Sequence, residues 1–469
     1  MGRLVIVSNR APSVDGTGDS GGLVVALKDA LSQQGGLWIG GAPKQTETPS
    51  DELVFHQRPD FDIALFELEP ELYRDYYLGY SNSVLWPALH GRVDLINVQP
   101  HFSAAYREVA RRLARQIAQT VTHDDVIWVH DYQLIPLAHE LRALGVTSRI
   151  GFFLHIPLPD LQTFKAIPDW QDLAGCLADY DLLGLQTQRD LSHLINIFRH
   201  TLRGELRANG NMGINGREVV LGCFPISIDV RGFRQLAVEG AARTAPPPLP
   251  RLIGVDRLDY SKGLPHRLHG YETFLSQAPE FCNKVALLQI APPTRDDVDA
   301  YKAIRSELEH LAGRINGSFG TVEWTPVQYI HRALPRDDLA VLYRYSRVGL
   351  VTPLFDGMNL VAKEYVAAQD ESDPGVLILS QFAGAAEEMS DALIVNPHDP
   401  QDVADAIKTA LQMPLAERRK RHEALYSHLE EHDVAHWSAA FLKRLLAVEK
   451  TDPVWLERFA RLELVAKTG

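Results

Sequence analysis

Val348-Gly349-Leu350-Val351-Thr352-Pro353-Leu354-Phe355-Asp356-Gly357-Met358-Asn359-Leu360-Val361-Ala362-Lys363-Glu364 reads as a buried parallel strand, a turn and the start of a helix. The apolar run at its head shows no polar alternation, as expected of a strand covered on both faces. Gly357 lets the main chain approach a ligand closely, and the free N–H groups of the helix's first turn make a site for phosphate oxygens. Glu364 lies about one turn further in, where a carboxylate can accept hydrogen bonds from sugar hydroxyls. Taken alone, the segment is equally a plain strand-to-helix loop with a solvated glutamate.

Working outward, similar apolar runs recur at Leu4–Val7, Val126–Val129, Ile150–Leu154, Leu182–Leu185, Leu252–Val255, Val285–Ile290, Val376–Leu379 and Leu393–Val395, with helical stretches between them. One of those stretches, His101 to Thr120, places Phe102, Ala105, Val109, Leu113 and Ile117 on a single helical face. Strand–helix alternation predicts an α/β fold with parallel sheets covered by helices on both faces. A chain of 469 residues exceeds one ordinary core, so two doubly wound domains in tandem are expected. Ligands of such domains bind at the carboxyl ends of the strands. The proline segment Thr244 to Pro250 is stiff and extended, and is placed just past the boundary between the halves. A final helix, about Pro453 to Ala466, carries Trp455, Phe459 and Leu462 on one face.

The balance of 47 basic against 60 acidic residues, a formal charge of −13, argues against a surface for nucleic acid or anionic membrane. Phosphate binding must then be local. Cys176, Cys223 and Cys282 are far apart with no metal-ligand spacing, which fits a reducing cytosol. The first residues read as an immediate strand rather than a secretory leader, and no apolar stretch approaches bilayer length, so a cytoplasmic protein is expected.

Several strand ends carry chemistry. The first strand ends in Ser8-Asn9-Arg10, followed by a loop and Gly21-Gly22 ahead of a helix, a phosphate-sized anion site with Arg10 at its mouth. The bland alternative for Arg10 is a surface ion pair. Neither G-x-G-x-x-G nor a P-loop occurs. Asp256-Arg257-Leu258-Asp259-Tyr260-Ser261-Lys262-Gly263 follows another strand; Arg257 and Lys262, closed by Gly263, can clamp a diphosphate. Arg295 holds the corresponding place after the next strand and suits a second phosphate. Asp131 and His155 close neighbouring strands, where they either orient a sugar hydroxyl or serve as a helix cap and a core histidine. Tyr77 and Trp86 can wall a sugar pocket or belong to the core. The Asp-x-Asp triplets Asp60/Asp62, Asp179/Asp181 and Asp297/Asp299 lack a strand-end setting, so no metal and no cofactor is expected; Arg257 and Lys262 would neutralise a leaving diphosphate instead.

With these residues assembled, the chain resembles the retaining nucleotide-sugar glucosyltransferases of the trehalose-6-phosphate synthase family over about residues 3 to 445. The resemblance rests on Ser8-Asn9-Arg10, Gly21-Gly22-Leu23, Tyr77, Ser81 to Pro87, His130-Asp131-Tyr132, Phe153 to Pro157, Arg257 to Gly263, Arg295, Ala312 to Gly317 and Asp356 to Glu364. It implies a GT-B fold: two Rossmann-like domains, residues 1–235 and 236–449, an inter-domain active-site cleft, and a C-terminal helix, about 450–469, packing back on the first domain. It implies that glucose passes from UDP-glucose to glucose 6-phosphate, giving α,α-trehalose 6-phosphate and UDP. Donor contacts would come from Gly21, Gly22, Arg257, Lys262, the backbone near Leu334, and the run Asp356, Gly357, Met358, Asn359, Leu360, Val361, Ala362, Lys363 and Glu364. Arg10, Tyr77, Asp131 and Arg295 would hold the acceptor, the two arginines gripping its phosphate. His155 and Asp356 would touch the transferred glucose, and Trp86 and Ile156 would select the acceptor's α-anomer. His155, Asp131, Arg257, Lys262 and Asp356 would be the catalytic group. No carboxylate nucleophile is then needed, unlike the two-carboxylate glycosidases. A homo-oligomer, dimer or tetramer, is also expected.

Four positions depart from the family pattern: Phe355 in place of a common Arg, Gln133 in place of His, Leu158 in place of Phe, and Gly41 in place of a frequent Trp. The first bears on donor choice and the last on the first-domain loop. Two further readings keep parts of the argument: the same donor chemistry with another phosphorylated acceptor, such as glycerol 3-phosphate or a cyclitol phosphate, or a sugar-phosphate sensor without catalysis. The sensor would have lost Arg257, Lys262 or Glu364, and all three are present.

Overall fold

The computed structural model describes residues 2–14, 24, 27, 28, 31, 36–294, 299–452, 455 and 456. Two compact units divide the chain, Met1–Pro225 with Trp437–Gly469, and Ile226–His436. The fold class is the expected one, α/β with a doubly wound sheet in each unit.

The first sheet contains β1 (Leu4–Arg10), β2 (Gly36–Gly41), β3 (Val54–His56), β4 (Asp62–Phe66), β5 (Val126–His130), β6 (Arg149–Phe153), β7 (Leu182–Leu185), β8 (Glu205–Leu206), β9 (Met212–Ile214) and β10 (Arg217–Cys223), in the order β3-β4-β2-β1-β5-β6-β7-β10-β9-β8. It is parallel from β4 to β10, with antiparallel pairings only at its two margins. The second contains β11 (Arg251–Val255), β12 (Ala286–Ile290), β13 (Val327–Ile330), β14 (Ser346–Val351), β15 (Val376–Ser380) and β16 (Leu393–Val395), parallel throughout in the order β13-β12-β11-β14-β15-β16. Winding reverses between β1 and β5 in one sheet and between β11 and β14 in the other. Those two crevices, at the strands' carboxyl ends, are where ligands of such sheets bind.

The crossing between units differs from the expected boundary at 235/236: it lies at Pro225/Ile226. The cause is the helix Val230–Ala241, whose Phe233 ring meets Tyr343 at 6.2 Å and lies 5.0 Å from the Arg336 guanidinium, while Tyr345 Oη donates to Ala241 O at 2.9 Å. That helix belongs to the second core, and the proline segment only leads into β11. The chain returns at Trp437, earlier than the expected 449/450. The returning helix, Val434–Leu446, seats Trp437, Phe441 and Leu445 in the first unit. Phe441 stacks on Trp128 with ring centroids 4.4 Å apart and planes at 9°. Gly151 in β6 and Gly184 in β7 make the room: a Cβ on either would lie 2.7–2.9 Å from the Phe441 ring. Most of the expected helix 453–466 lies outside the described residues; within it, Leu456 is buried and the Arg217 guanidinium sits 4.9 Å from the Trp455 ring.

Segment Arg74–Leu85 is a π-helix, a rare conformation that is frequent at functional sites. Its carbonyls are partly served by its own side chains: Asn82 Nδ2 donates to Tyr77 O at 2.7 Å and Ser83 Oγ to Leu78 O at 2.7 Å. Among the described residues no helix is long and apolar enough to cross a membrane.

Adding a methyl at Gly184 pushes on a ring that cannot retreat, because Phe441 is fully buried. Gly184→Ala is expected to lower unfolding free energy by about 1–3 kcal/mol in chemical denaturation; an unchanged midpoint would show that the ring is not seated there.

Candidate functional site

In the second unit the turn after β11 and the turn after β14 are zipped together. Leu354 N donates to Ser261 O at 2.8 Å, and Phe355 N to the same oxygen at 3.3 Å. Gly263 closes the first turn with φ +65°, and a Cβ there would stand 2.4 Å from Thr352 O, so only glycine fits. The pairing brings Lys262 and Asp356 into an ion pair, each side chain largely buried. Asn359 Nδ2 donates to Asp356 Oδ2 at 3.0 Å.

Beneath them lies a buried network. Arg267 donates from Nη2 to Asp256 Oδ2 (2.6 Å), from Nη1 to Gln289 Oε1 (3.0 Å) and from Nε to Thr352 Oγ1 (3.0 Å). One guanidinium thus ties the ends of β11, β12 and β14 to the helix Leu264–Gln277. Arg257 stands exposed on the same turn as Lys262.

Asn359 begins the helix Leu360–Ala368 at φ +82° and its side chain does not cap it, so the first turn, with the N–H groups of Leu360, Val361 and Ala362, has the makings of an anion site. Gly357 and Met358 are buried in the turn, where Met358 O accepts from Ala385 N at 2.9 Å. Leu334 is half-buried in the loop after β13. Glu364 is partly buried; burial raises its carboxyl from the ordinary 4.5 to about 7, against the pull of the Arg336 charge. The Lys363 ammonium is buried, donates to Ile226 O at 2.7 Å and pairs with Glu388, so this side chain anchors the back of the helix.

In the first unit Arg10 ends β1 with its guanidinium 5.5 Å from the Tyr77 ring, brought over it by the π-helix. A cavity of about 260 Å³ opens beside Arg10, bordered by Gly41, Lys44, Phe66 and Tyr73. Asp131 and His155 come together: Asp131 N donates to Phe153 O at 2.8 Å, and His155 N to Asp131 Oδ1 at 3.2 Å. Asp131 sits at φ +75°, ψ 166°, a conformation almost reserved for glycine. Trp86 is buried against His90 (centroids 4.1 Å) and Tyr132 (5.7 Å), and Ile156 is buried just past His155. Gly21, Gly22 and Arg295 lie outside the described residues.

Of the departures, Gly41 has a steric cause: β1 bulges at Asn9, and a Cβ on Gly41 would meet Asn9 O at 2.7 Å. Leu158 and Gln133 are core residues, and Phe355 is half-buried in the zipped turn. Asp181 accepts from Arg142 Nη2 (2.7 Å), Arg217 Nη2 (2.5 Å) and Ile150 N (2.7 Å), a structural carboxylate rather than a metal ligand. Among the described residues no group of three or more His, Cys, Asp or Glu is arranged to hold a metal.

Residues 5–447 match the model of glycosyltransferase family 20. The chain belongs to that family. This family 20 chain is 44% identical over 455 residues to a trehalose-6-phosphate synthase of Sodalis glossinidius (strain morsitans), covering 95% of this chain and 96% of that protein. An alpha,alpha-trehalose-phosphate synthase (UDP-forming) from Burkholderia xenovorans, solved in complex with glucose-6-phosphate, is similar at a TM-score of 0.89 and 43% identity, covering 95% of this chain and all (100%) of that one. An E. coli structure, named trehalose-6-phosphate and bound with UDP-2-fluoro glucose, is similar at a TM-score of 0.91 and 42% identity, over 96% of this chain and 100% of that one.

A carboxyl that titrates higher in the folded chain than in the unfolded one loses stability as pH climbs between the two values. Glu364→Gln is therefore expected to melt close to the parent at about pH 5 and above it at about pH 8. Midpoints that run parallel across that range would contradict a raised Glu364.

Proposed function

We infer that this chain transfers glucose from UDP-glucose to glucose 6-phosphate, giving α,α-trehalose 6-phosphate and UDP. The observation that carries the reading is the Lys262–Asp356 pair at the reversal of the second sheet, beside Arg257 and the open first turn at Leu360. The turn offers cations and N–H groups to a diphosphate and a carboxylate to the adjoining sugar. Glu364, on the same helix, takes the ribose hydroxyls in this reading.

The acceptor falls to Arg10, Tyr77 and Asp131 in the first unit, with Arg295 as the second phosphate ligand. The glucose C1–oxygen bond to UDP breaks as a bond forms to the anomeric oxygen of glucose 6-phosphate. The acceptor's proton passes to the departing phosphate. Both anomeric centres are α in the product, so configuration at the donor carbon is kept; attack on the face from which the phosphate departs gives that outcome without the protein nucleophile of a double displacement. Lys262 and Arg257 act by stabilising charge on the leaving UDP, held in place before the reaction begins.

The proposal extends to a cytoplasmic homo-oligomer, dimer or tetramer, that works without a metal or other cofactor. In support, the cysteines are free thiols, fixed cations supply the needed charge, and Phe55 is exposed on the margin strand β3, where a second copy can cover it.

Incubating the protein with UDP-, ADP- and GDP-glucose and a panel of sugar phosphates, then reading the product by mass and anomeric NMR, tests the reading. UDP-glucose with glucose 6-phosphate should give an α,α-linked phosphorylated disaccharide, and Lys262→Ala should lower kcat by about 10²–10³. A product built only on another acceptor, or near-normal turnover by Lys262→Ala, would overturn it.

A further inference from the structure

His130 closes β5, is fully buried, and has been given no part in the site so far. Its Nδ1 lies 3.0 Å from Nε2 of His155, so one of the two nitrogens carries a proton and the other accepts it. The rings are near-parallel, 26° apart with centroids at 5.2 Å. The other His130 nitrogen, Nε2, is buried with no partner among the described residues. Against His130 lie Trp128 (centroids 4.7 Å) and Trp437 (6.5 Å), whose indole N–H groups are also buried and unpartnered. On the other side, His155 is half-buried; its Nδ1 takes no partner among the described residues and is not one of the buried orphan atoms, so it is the nitrogen open to a ligand.

These facts decide the proton's place. Were His155 the donor, through Nε2–H, His130 would hold its own proton on Nε2 and bury a third orphan N–H beside the two indoles. A buried N–H without an acceptor is costlier than a buried lone pair. The mild preference of free imidazole for Nε2–H is outweighed by that penalty. Protonation of either ring is no escape: burial drives His130 well below the ordinary histidine value and lowers His155 to about 3.

We propose that His130 is a positioning residue that donates from Nδ1–H to His155 Nε2 and thereby fixes His155 as the Nδ1–H tautomer, a hydrogen-bond donor toward the sugar. The hydrogen bond one nitrogen makes sets what the other can do. Asp131, an acceptor only, adjoins His155 through the His155 N–H to Asp131 Oδ1 bond. Donor and acceptor side by side suit one sugar hydroxyl, which accepts from His155 and donates to Asp131. The sugar contact rests on the function proposed above; the tautomer does not.

Long-range ¹H–¹⁵N correlation of histidine-labelled protein reads the tautomer directly. In the parent protein His155 should show a protonated Nδ1 and a bare Nε2, and stay neutral at working pH. His130→Phe keeps a ring and removes the donor; His155 should then lose the single tautomer, and kcat should fall roughly tenfold or more with KM for glucose 6-phosphate little changed. His130→Asn, whose amide N–H overlies Nδ1, should restore both the tautomer and most of kcat. A protonated Nε2 on His155 in the parent protein overturns the proposal even if both variants fail to fold. So does an unaltered His155 tautomer in His130→Phe. A correct tautomer in a protein that makes no disaccharide would sustain the positioning role and sink the sugar reading alone.

Discussion

The Arg267 guanidinium is the constraint on which the proposed donor site depends. A fully buried cation is tolerable only when its charge is matched and its N–H groups are served, and removing one partner typically costs about 3–5 kcal/mol. Here the partners are Asp256, Gln289 and Thr352, which end three different strands. Satisfying one side chain therefore fixes three strand ends relative to the helix Leu264–Gln277. The close approach of Gly263 to Thr352 O follows, and with it the pairing of Lys262 and Asp356. A diphosphate clamp assembled in this way needs little reorganisation when charge develops on the leaving group, the condition under which electrostatic stabilisation is most effective.

Among the described residues, two of the five non-glycine positions with positive φ fall at the sheet reversals. Asp131 and Asn359 both adopt positive φ, each in the turn after a strand bordering the reversal of its own sheet. Such conformations persist only where the surroundings over-determine them. At Asp131 the surroundings are the main-chain bond to Phe153 O and the bond that its carboxylate accepts from His155 N; at Asn359 they are Asp356 and the bonded stretch Asp356–Ala385.

Continuous apolar runs made β1, β5, β6, β7, β11, β12, β14, β15 and β16 legible, because parallel strands covered on both faces leave that mark. Strands β2, β4 and β13 left a weaker one: β2 is bounded by glycines, β4 opens on Asp62, and Gln328 interrupts β13. The π-helix was invisible, since its hydrogen bonding leaves no 3.6-residue apolar period, and its segment suggested Tyr77 and the run from Ser81 but no helix. Proline content drew the domain boundary toward 244–250, whereas packing decides it: helix 230–241 goes to whichever core takes Phe233. The use of the Lys363 charge was not legible either: it goes to Glu388 and to the distant Ile226 carbonyl, partners that only packing brings together. Arg10, Asp131, His155, Lys262 and Asp356 could be singled out as candidates because they stand at or just past strand ends, where ligands of this fold bind. His130 and Arg267 were not, because a residue that acts through a neighbour carries no motif of its own.

The central claim is that each sheet's reversal serves one substrate, the second unit the nucleotide and the first unit the sugar phosphate. Calorimetric titration of UDP and of glucose 6-phosphate, each into the parent protein and into Lys262→Ala and Arg10→Ala, tests it most directly. The account predicts that Lys262→Ala weakens UDP roughly tenfold or more and leaves glucose 6-phosphate within about twofold, with the reverse for Arg10→Ala, as expected when one charge-assisted contact is removed. Equal losses for both ligands in either variant, or no loss in both, would contradict it.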